Sequence, residues 1–143
     1  MAELSDSAKS IVKSTAPALK EKGVDVTTKM YQIMFSKYPE VKDLFKNQPN
    51  NQNEILARSI IAYSENIDNL SALEGAIDKI ARHHVDTKVK EEHYPIVADC
   101  LLQAIKDVLG AAATDEVVKA WGEAYWFLAN LLIERENKLY AAA

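Results

Sequence analysis

Helix-breaking residues are scarce in this chain, and their placement constrains the fold more than any other feature. Four glycines and four prolines occur in 143 residues, and the alternation of apolar and polar residues that marks strands is nearly absent. Apolar residues recur instead at spacings of three and four, as they do along one face of a helix. The sequence therefore predicts an all-α fold.

The helix breakers divide the chain into about six helices with short connections. The first helix is predicted to begin at Ser5 or Asp6, and Gly23 is expected to end it. A second helix ends before Pro39, because the residue before a proline is pushed out of the helical region, and a short turn then leads to Phe45. After a polar loop at 47–53, the remaining helices are predicted to end near 69, 85, 109 and 139.

Length and charge indicate one acidic domain. We expect residues 1–143 to form a single unit of ordinary domain size. The formal net charge is -4, and the lysines and arginines are scattered along the chain rather than clustered. The sequence therefore predicts neither nucleic acid nor an anionic membrane surface as a partner.

Cysteine content and hydropathy favour a cytoplasmic protein. Cys100 is the single cysteine, which excludes an intrachain disulfide and a multi-thiolate zinc site. We expect an ordinary half-buried thiol there, since no cationic activator neighbours it in sequence. No secretory signal is visible, and no segment approaches the roughly 20 apolar residues of a membrane span.

Five polar side chains interrupt apolar helix faces. His84 is in line with Leu73, Ile77, Ile80 and Ala81. The other four are Tyr31, Gln52, Tyr94 and Glu136. Each has an ordinary structural explanation: a histidine bonded to a backbone carbonyl, packed tyrosines, a surface glutamate, or a glutamine in the first turn of a helix. Their occurrence together in one small chain favours a polar pocket around a ligand.

The five residue types suit a haem pocket. Haem iron takes an axial imidazole from the protein, and the other imidazole nitrogen needs an acceptor that sets its basicity. His84, Glu136 and Tyr94 can supply an imidazole, a carboxylate and a phenol that satisfies the carboxylate. On the opposite side of the metal, Tyr31 and Gln52 can donate hydrogen bonds to bound dioxygen.

Two other histidines compete with His84. His83 is rotated by about 100° on the helix and lies on a less apolar face, so it ranks second as a ligand. His93 is at a polar helix start and is expected to be exposed. The sequence contains no HExxH, no paired Cys/His spacing, and no GxSxG, P-loop or GxGxxG motif, which leaves zinc, hydrolase, phosphoryl-transfer and dinucleotide sites without support.

Four segments resemble single-domain bacterial haemoglobins and the globin half of flavohaemoglobins. They are YPEVKDLF at 38–45, NIDNL at 66–70, HYPIV at 93–97 and AWGEAY at 120–125. The resemblance covers nearly the whole chain. It implies haem b and a globin fold of about six to seven helices around the haem, a packing that suits the helix pattern better than a four-helix bundle with equal arms.

Position by position, the resemblance places the proximal iron ligand of the family at His84 and its hydrogen-bonding partners at Tyr94 and Glu136. The distal tyrosine, distal glutamine, neighbouring leucine and porphyrin-wedging phenylalanine of the family fall on Tyr31, Gln52, Leu56 and Phe45. Leu56 and Phe45 rest on the resemblance alone.

The chain departs from the family pattern in two places. Asn53 stands where a proline is expected after the distal glutamine, and the preceding loop is shorter than in close relatives, so Gln48 is an alternative to Gln52. Gln48 precedes Pro49 and is expected outside the helix, which favours Gln52. The other departure is that no flavin and nicotinamide reductase follows the globin, so electrons are expected from a separate flavin-dependent reductase.

The resemblance implies a haem protein that binds dioxygen reversibly at ferrous iron, with nitric oxide and other diatomic gases as further ligands. It also implies nitric oxide dioxygenase activity, which an acidic proximal network favours over simple storage. A non-catalytic protein that buffers or delivers oxygen is the first alternative. A haem-based gas sensor is the second, although sensor globins normally carry an output domain. A monomer and a homodimer fit equally well.

Overall fold

The computed structural model describes residues 4–45, 52–87 and 89–142, apart from the side chains of residues 43–45, 52 and 70. Within these ranges the fold is all-helical and contains no strand, which confirms the predicted fold class. Short 3-10 segments join the α-helices. These are α1 (Asp6–Lys37), α2 (Gln52–Glu65), α3 (Glu74–Asp86), α4 (Tyr94–Leu109) and α5 (Asp115–Ala142).

The first two predicted helices form one continuous helix. α1 runs through Gly23, so the break predicted there is wrong. Gly23 is buried, and a Cβ atom at this position would lie 3.4 Å from both Ala57 Cβ and Ile61 Cδ1. These distances are ordinary van der Waals contacts, so Gly23 lies in the close-packed interface between α1 and α2 rather than at a helix end. The described ranges contain five α-helices where about six to seven helices were predicted.

Three other predicted corners are confirmed, whereas α2 ends at Glu65 rather than near 69. α1 ends before a 3-10 segment, Pro39–Phe45, that turns the chain. Gly110 ends α4 with φ 57°, in the left-handed region that glycine adopts without steric cost. At the start of α5, the Val117 amide donates to Thr114 Oγ1 at 3.3 Å. Local residue chemistry thus sets where the long helices change direction.

Two buried clusters hold the helices together. The main cluster draws on α1, α2, α4 and α5, and its members include Val12, Met30, Ile67, Ile105 and Trp121. The second cluster draws on α3, α4 and α5 and consists of Ile77, Ala81, Tyr94, Ala129 and Leu132. Cys100 is fully buried in the main cluster rather than half-buried as predicted, and burial raises the pKa of its thiol. A thiol in this environment is inert.

Candidate functional site

Three of the predicted site residues meet where α3, α4 and α5 come together. His84 Nδ1 lies 2.9 Å from Glu136 Oε2 and 3.1 Å from the Tyr94 hydroxyl oxygen. The Tyr94 hydroxyl lies 2.7 Å and 2.9 Å from the two carboxylate oxygens of Glu136. The fold therefore brings together side chains from three separate helices, and we call His84, Tyr94 and Glu136 the proximal network.

Helical periodicity places these side chains. Ile77 and Ala81 are buried on α3 and lie on the same face as His84, while Leu132 is buried on α5 one turn before Glu136. The helix faces that the apolar spacing predicted are thus the ones that the fold buries. At the start of α4, proline follows Tyr94 directly and occupies the first turn, where its missing N–H removes no intrahelical bond.

Hydrogen bonds within the network offset the unfavourable burial of the Glu136 carboxylate. The side chain of Glu136 is 3% exposed and that of His84 is 27% exposed. Because an ionised carboxylate can only accept hydrogen bonds, His84 Nδ1 and the Tyr94 hydroxyl both donate to it. Burial raises the pKa of Tyr94 far above its usual range, helped by the hydrogen bond to Glu136 and by its charge. The phenol therefore stays protonated, as a donor must.

This hydrogen-bonding pattern leaves His84 Nε2 as the nitrogen that can offer a lone pair. No hydrogen bond from a described residue reaches Nε2, and the imidazole keeps part of its surface exposed. Metal-ligating histidines in proteins are held in the same way, with one nitrogen on a carboxylate and the other on the metal. His84 is therefore suited to coordinate a metal through Nε2.

Two tyrosines that sequence reasoning did not select brace the network. The Tyr125 hydroxyl donates to the backbone carbonyl of Tyr94 at 2.7 Å. The Tyr140 hydroxyl donates to the carbonyl of Val89, in the connection between α3 and α4, at 2.7 Å. Both tyrosines lie on α5 with Glu136, at helical spacings from it, and that spacing was the available signal.

The predicted distal side chains lie on α1 and α2. Tyr31 is partly buried on α1, and its ring centroid lies 5.7 Å from that of Phe35 at an interplanar angle of 31°. Leu56 is partly buried on α2. Tyr31 and Leu56 both pack against the main cluster. The structure thus places both on the helix pair α1 and α2, apart from the second cluster to which Tyr94 belongs.

Three predicted positions fall in part or wholly outside the described residues. Gln52 begins α2, as expected for a first-turn residue, but its side chain lies outside them. Phe45 ends the 3-10 corner, and its side chain is also outside. Gln48 lies outside entirely, so the choice of Gln52 over Gln48 stays a prediction.

The competing histidines occupy other environments. His83 is exposed on α3, in agreement with its lower rank as a ligand. His93 is partly buried rather than exposed as predicted, because its Nδ1 accepts the backbone N–H of Lys90 at 2.9 Å and caps a short 3-10 turn. In the ranges that the structure describes, no three histidine, cysteine or acidic side chains cluster as a metal-ion site requires. No helix described there is long and apolar enough to cross a membrane.

Comparisons with known proteins give a consistent match. Residues 28–131 match the globin family model. An uncharacterized globin-like protein of Aquifex aeolicus is 51% identical over 96% of this chain and 98% of its own length. A flavohemoprotein of Bacillus cereus is 46% identical over 93% of this chain, but the chain spans only 33% of that protein.

Similarity extends to a solved structure. An engineered carbene transferase, made from a protein of Rhodothermus marinus whose assignment as a nitric oxide dioxygenase is provisional, is 41% identical to the chain. The alignment covers 97% of both chains with a TM-score of 0.94.

Proposed function

The chain belongs to the globin family, and from this premise we propose that it holds haem b through His84 Nε2 and binds dioxygen reversibly at ferrous iron. Nitric oxide and other diatomic gases are its further ligands. We also propose that it acts as a nitric oxide dioxygenase when a separate flavin-dependent reductase supplies electrons. The observation that carries the proposal is the buried carboxylate of Glu136 behind the imidazole of His84.

The donor set fits haem. A single open imidazole nitrogen is what a haem iron would take from the protein, because the porphyrin itself would supply four nitrogen ligands. Leu56 is partly buried and has surface left for contact with a porphyrin, and we assign Phe45 to the same role from its place in the family pattern. When bound, haem supplies an iron that binds the gas and gives it an electron.

The proximal network sets the electron donation of the imidazole. Glu136 accepts the Nδ1 hydrogen of His84 at 2.9 Å, which increases the basicity of the ring and the electron density that it donates through Nε2. The Tyr94 hydroxyl donates to the same carboxylate and holds its Oε2 atom in place for His84. Strong donation from the imidazole favours activation of dioxygen over storage.

The distal residues act on the ligand. Bound dioxygen carries partial negative charge, which the phenol of Tyr31 stabilises by donating a hydrogen bond. Gln52 provides a second donor or a gate. In the overall reaction, nitric oxide, dioxygen and one electron give nitrate, and the reductase provides that electron. The name of the Rhodothermus marinus relative supports this reaction class, and that of the Bacillus cereus relative, flavohemoprotein, supports the pairing of haem with a flavin.

Rapid mixing of the oxygenated protein with nitric oxide tests the activity. We expect one nitrate per haem and complete loss of the oxygenated spectrum in the mixing experiment. Glu136→Gln is expected to slow this reaction, whereas Glu134→Gln, an exposed carboxylate on the same helix, serves as the matched control. A protein that stays oxygenated and forms no nitrate would be an oxygen-binding protein only.

The proposed setting is the cytoplasm. A single cysteine that is buried and free fits a reducing compartment. A flavin-dependent reductase also draws its electrons from cytoplasmic nicotinamide pools. We propose no nucleic acid partner, since the basic side chains are scattered.

A further inference from the structure

Two hydrogen bonds tie the first turn of α2 to α1. The Thr27 hydroxyl donates to the backbone carbonyl of Asn53 at 2.8 Å. The side-chain amide of Asn53 donates to Thr28 Oγ1, also at 2.8 Å. We call Thr27, Thr28 and Asn53 the α1–α2 clamp.

The clamp is built into the core rather than added at the surface. Thr27 is 0% exposed, so no water can replace its partner. Its hydroxyl also lies 3.2 Å from the carbonyl of Val24 within α1, but the contact with Asn53 is shorter by 0.4 Å (3.2 against 2.8 Å). The single hydroxyl hydrogen therefore points mainly across to α2.

Sequence places the clamp beside both distal candidates. Thr27 and Thr28 precede Tyr31 by one turn of α1, and Asn53 follows Gln52 directly at the start of α2. Two adjacent threonines bond one asparagine at its carbonyl and at its side chain, which fixes both the register and the rotation of that turn. The backbone that carries the two ligand-side residues is thus fixed from both helices.

We propose that the α1–α2 clamp positions Tyr31 and Gln52 for ligand stabilisation, and that Thr27 and Asn53 are positioning residues for gas release. This inference rests on the proposed function. Asn53 is the second residue of α2, where a backbone N–H has no intrahelical partner. A proline is therefore tolerated at the same place, and its fixed φ restrains the turn in a different way. In this chain the bond from Asn53 to Thr28 supplies the restraint that a proline ring would give.

The test compares four variants of the haem-loaded protein. Thr27→Val keeps the side-chain shape and removes the hydroxyl, and Asn53→Ala removes the amide. Asn53→Pro restores rigidity without the amide. Ser64→Ala is the matched control, because Ser64 is also a fully buried hydroxyl on α2 but bonds only within its own helix, to the carbonyl of Ile61 at 2.8 Å.

Two quantities are measured: hydrogen exchange of the first two turns of α2, and the dioxygen release rate. Loss of one net hydrogen bond should raise both by roughly threefold to tenfold in Thr27→Val and Asn53→Ala. Asn53→Pro should return both close to the wild-type values. Ser64→Ala should leave both unchanged. If Thr27→Val does not fold, Asn53→Ala carries the test, because its side chain is only partly buried.

The outcomes separate this inference from the proposed function. A wild-type protein that takes up no haem overturns the proposed function itself. A haem-loaded wild type with clamp variants at wild-type exchange and release rates overturns the clamp alone. Faster exchange with unchanged release also overturns it, because the threonines and the asparagine would then only stabilise the fold.

Discussion

In the proximal network, a carboxylate that is 3% exposed bonds an imidazole and a phenol from two other helices. In the α1–α2 clamp, neutral hydrogen bonds join α1 to α2 one helical turn before Tyr31. Hydrogen bonds to a buried charge are roughly twice as strong as neutral ones. Removal of a partner in the proximal network should therefore lower the free energy of unfolding more than removal of a partner in the α1–α2 clamp. The two regions therefore differ in what holds them: a buried carboxylate in the proximal network, and neutral hydrogen bonds in the α1–α2 clamp.

The two sides should also be distinguishable by what they change. Glu136 acts on the imidazole of His84, so its loss should alter the bond from the metal to the histidine. We propose that Tyr31 acts on the bound gas and that the clamp positions Tyr31, so their loss should alter release rates. A set of single variants can test whether this division holds.

The largest effect is expected for His84→Ala, which removes the proposed iron ligand. Haem present at about 1,000 times its Kd stabilises a folded protein by about 4 kcal/mol, and the variant should lose most of that linkage. Haem retention on gel filtration and thermal unfolding with added haem measure it. His83→Ala, one residue away and exposed, should retain haem. Equal loss of haem in the two variants would contradict the assignment of His84 as the iron ligand.

The second effect is expected for Glu136→Gln. The amide keeps the shape but accepts the His84 hydrogen more weakly, so the iron–histidine stretching frequency should fall and stability should drop by about 1–3 kcal/mol. Resonance Raman spectroscopy and denaturant unfolding measure the two changes. Glu134→Gln on the same helix should change neither. An unchanged frequency in Glu136→Gln would contradict the proposal that Glu136 controls electron donation by His84.

A smaller effect is expected for Tyr31→Phe, on the other side. Loss of one hydrogen bond to a partly charged ligand should speed dioxygen release by roughly tenfold, with haem retained. Stopped-flow displacement of dioxygen by carbon monoxide gives the rate. The iron–histidine frequency should stay at the wild-type value. If Tyr31→Phe changed that frequency as much as Glu136→Gln does, the two sides would not be separable.

The smallest effect concerns pH. Because burial and Glu136 raise the pKa of Tyr94 in the folded state, the unfolded chain loses this proton first as pH rises above about 10. The stabilisation from the protonated phenol is complete below pH 10 and declines above it, by about 1 kcal/mol at pH 10.5. Tyr94→Phe should flatten this alkaline decline in unfolding free energy. Tyr140→Phe, at a surface-exposed hydroxyl, should flatten it less, and equal slopes in all three proteins would contradict the coupling.

Apolar periodicity predicted the proximal side well because its residues lie on long helices. His84, Tyr94 and Glu136 each interrupt an apolar face, and a polar group on a buried face must find a partner. The same spacing placed Tyr125 in line with Glu136, yet its bond to the Tyr94 carbonyl depends on how α4 and α5 cross. Crossing geometry is a tertiary property that one-dimensional spacing does not contain.

The ligand side shows where local rules fail. Gly23 was predicted to end a helix, because glycine often does, but it lies inside α1 where that helix packs against α2. Thr27 reads as a weak helix former, and nothing in its neighbourhood indicates that its hydroxyl crosses to Asn53. Both residues serve the packing of one helix pair, and each needs the partner helix to be understood.

The most direct measurement is the absorption spectrum of the purified ferrous protein with and without carbon monoxide. We expect a Soret band typical of histidine-ligated haem, and we expect it to shift when carbon monoxide is added. A colourless protein after haem is supplied, or a bound haem whose ferrous spectrum is the same in wild type and His84→Ala, would contradict the assignment of His84 as the iron ligand.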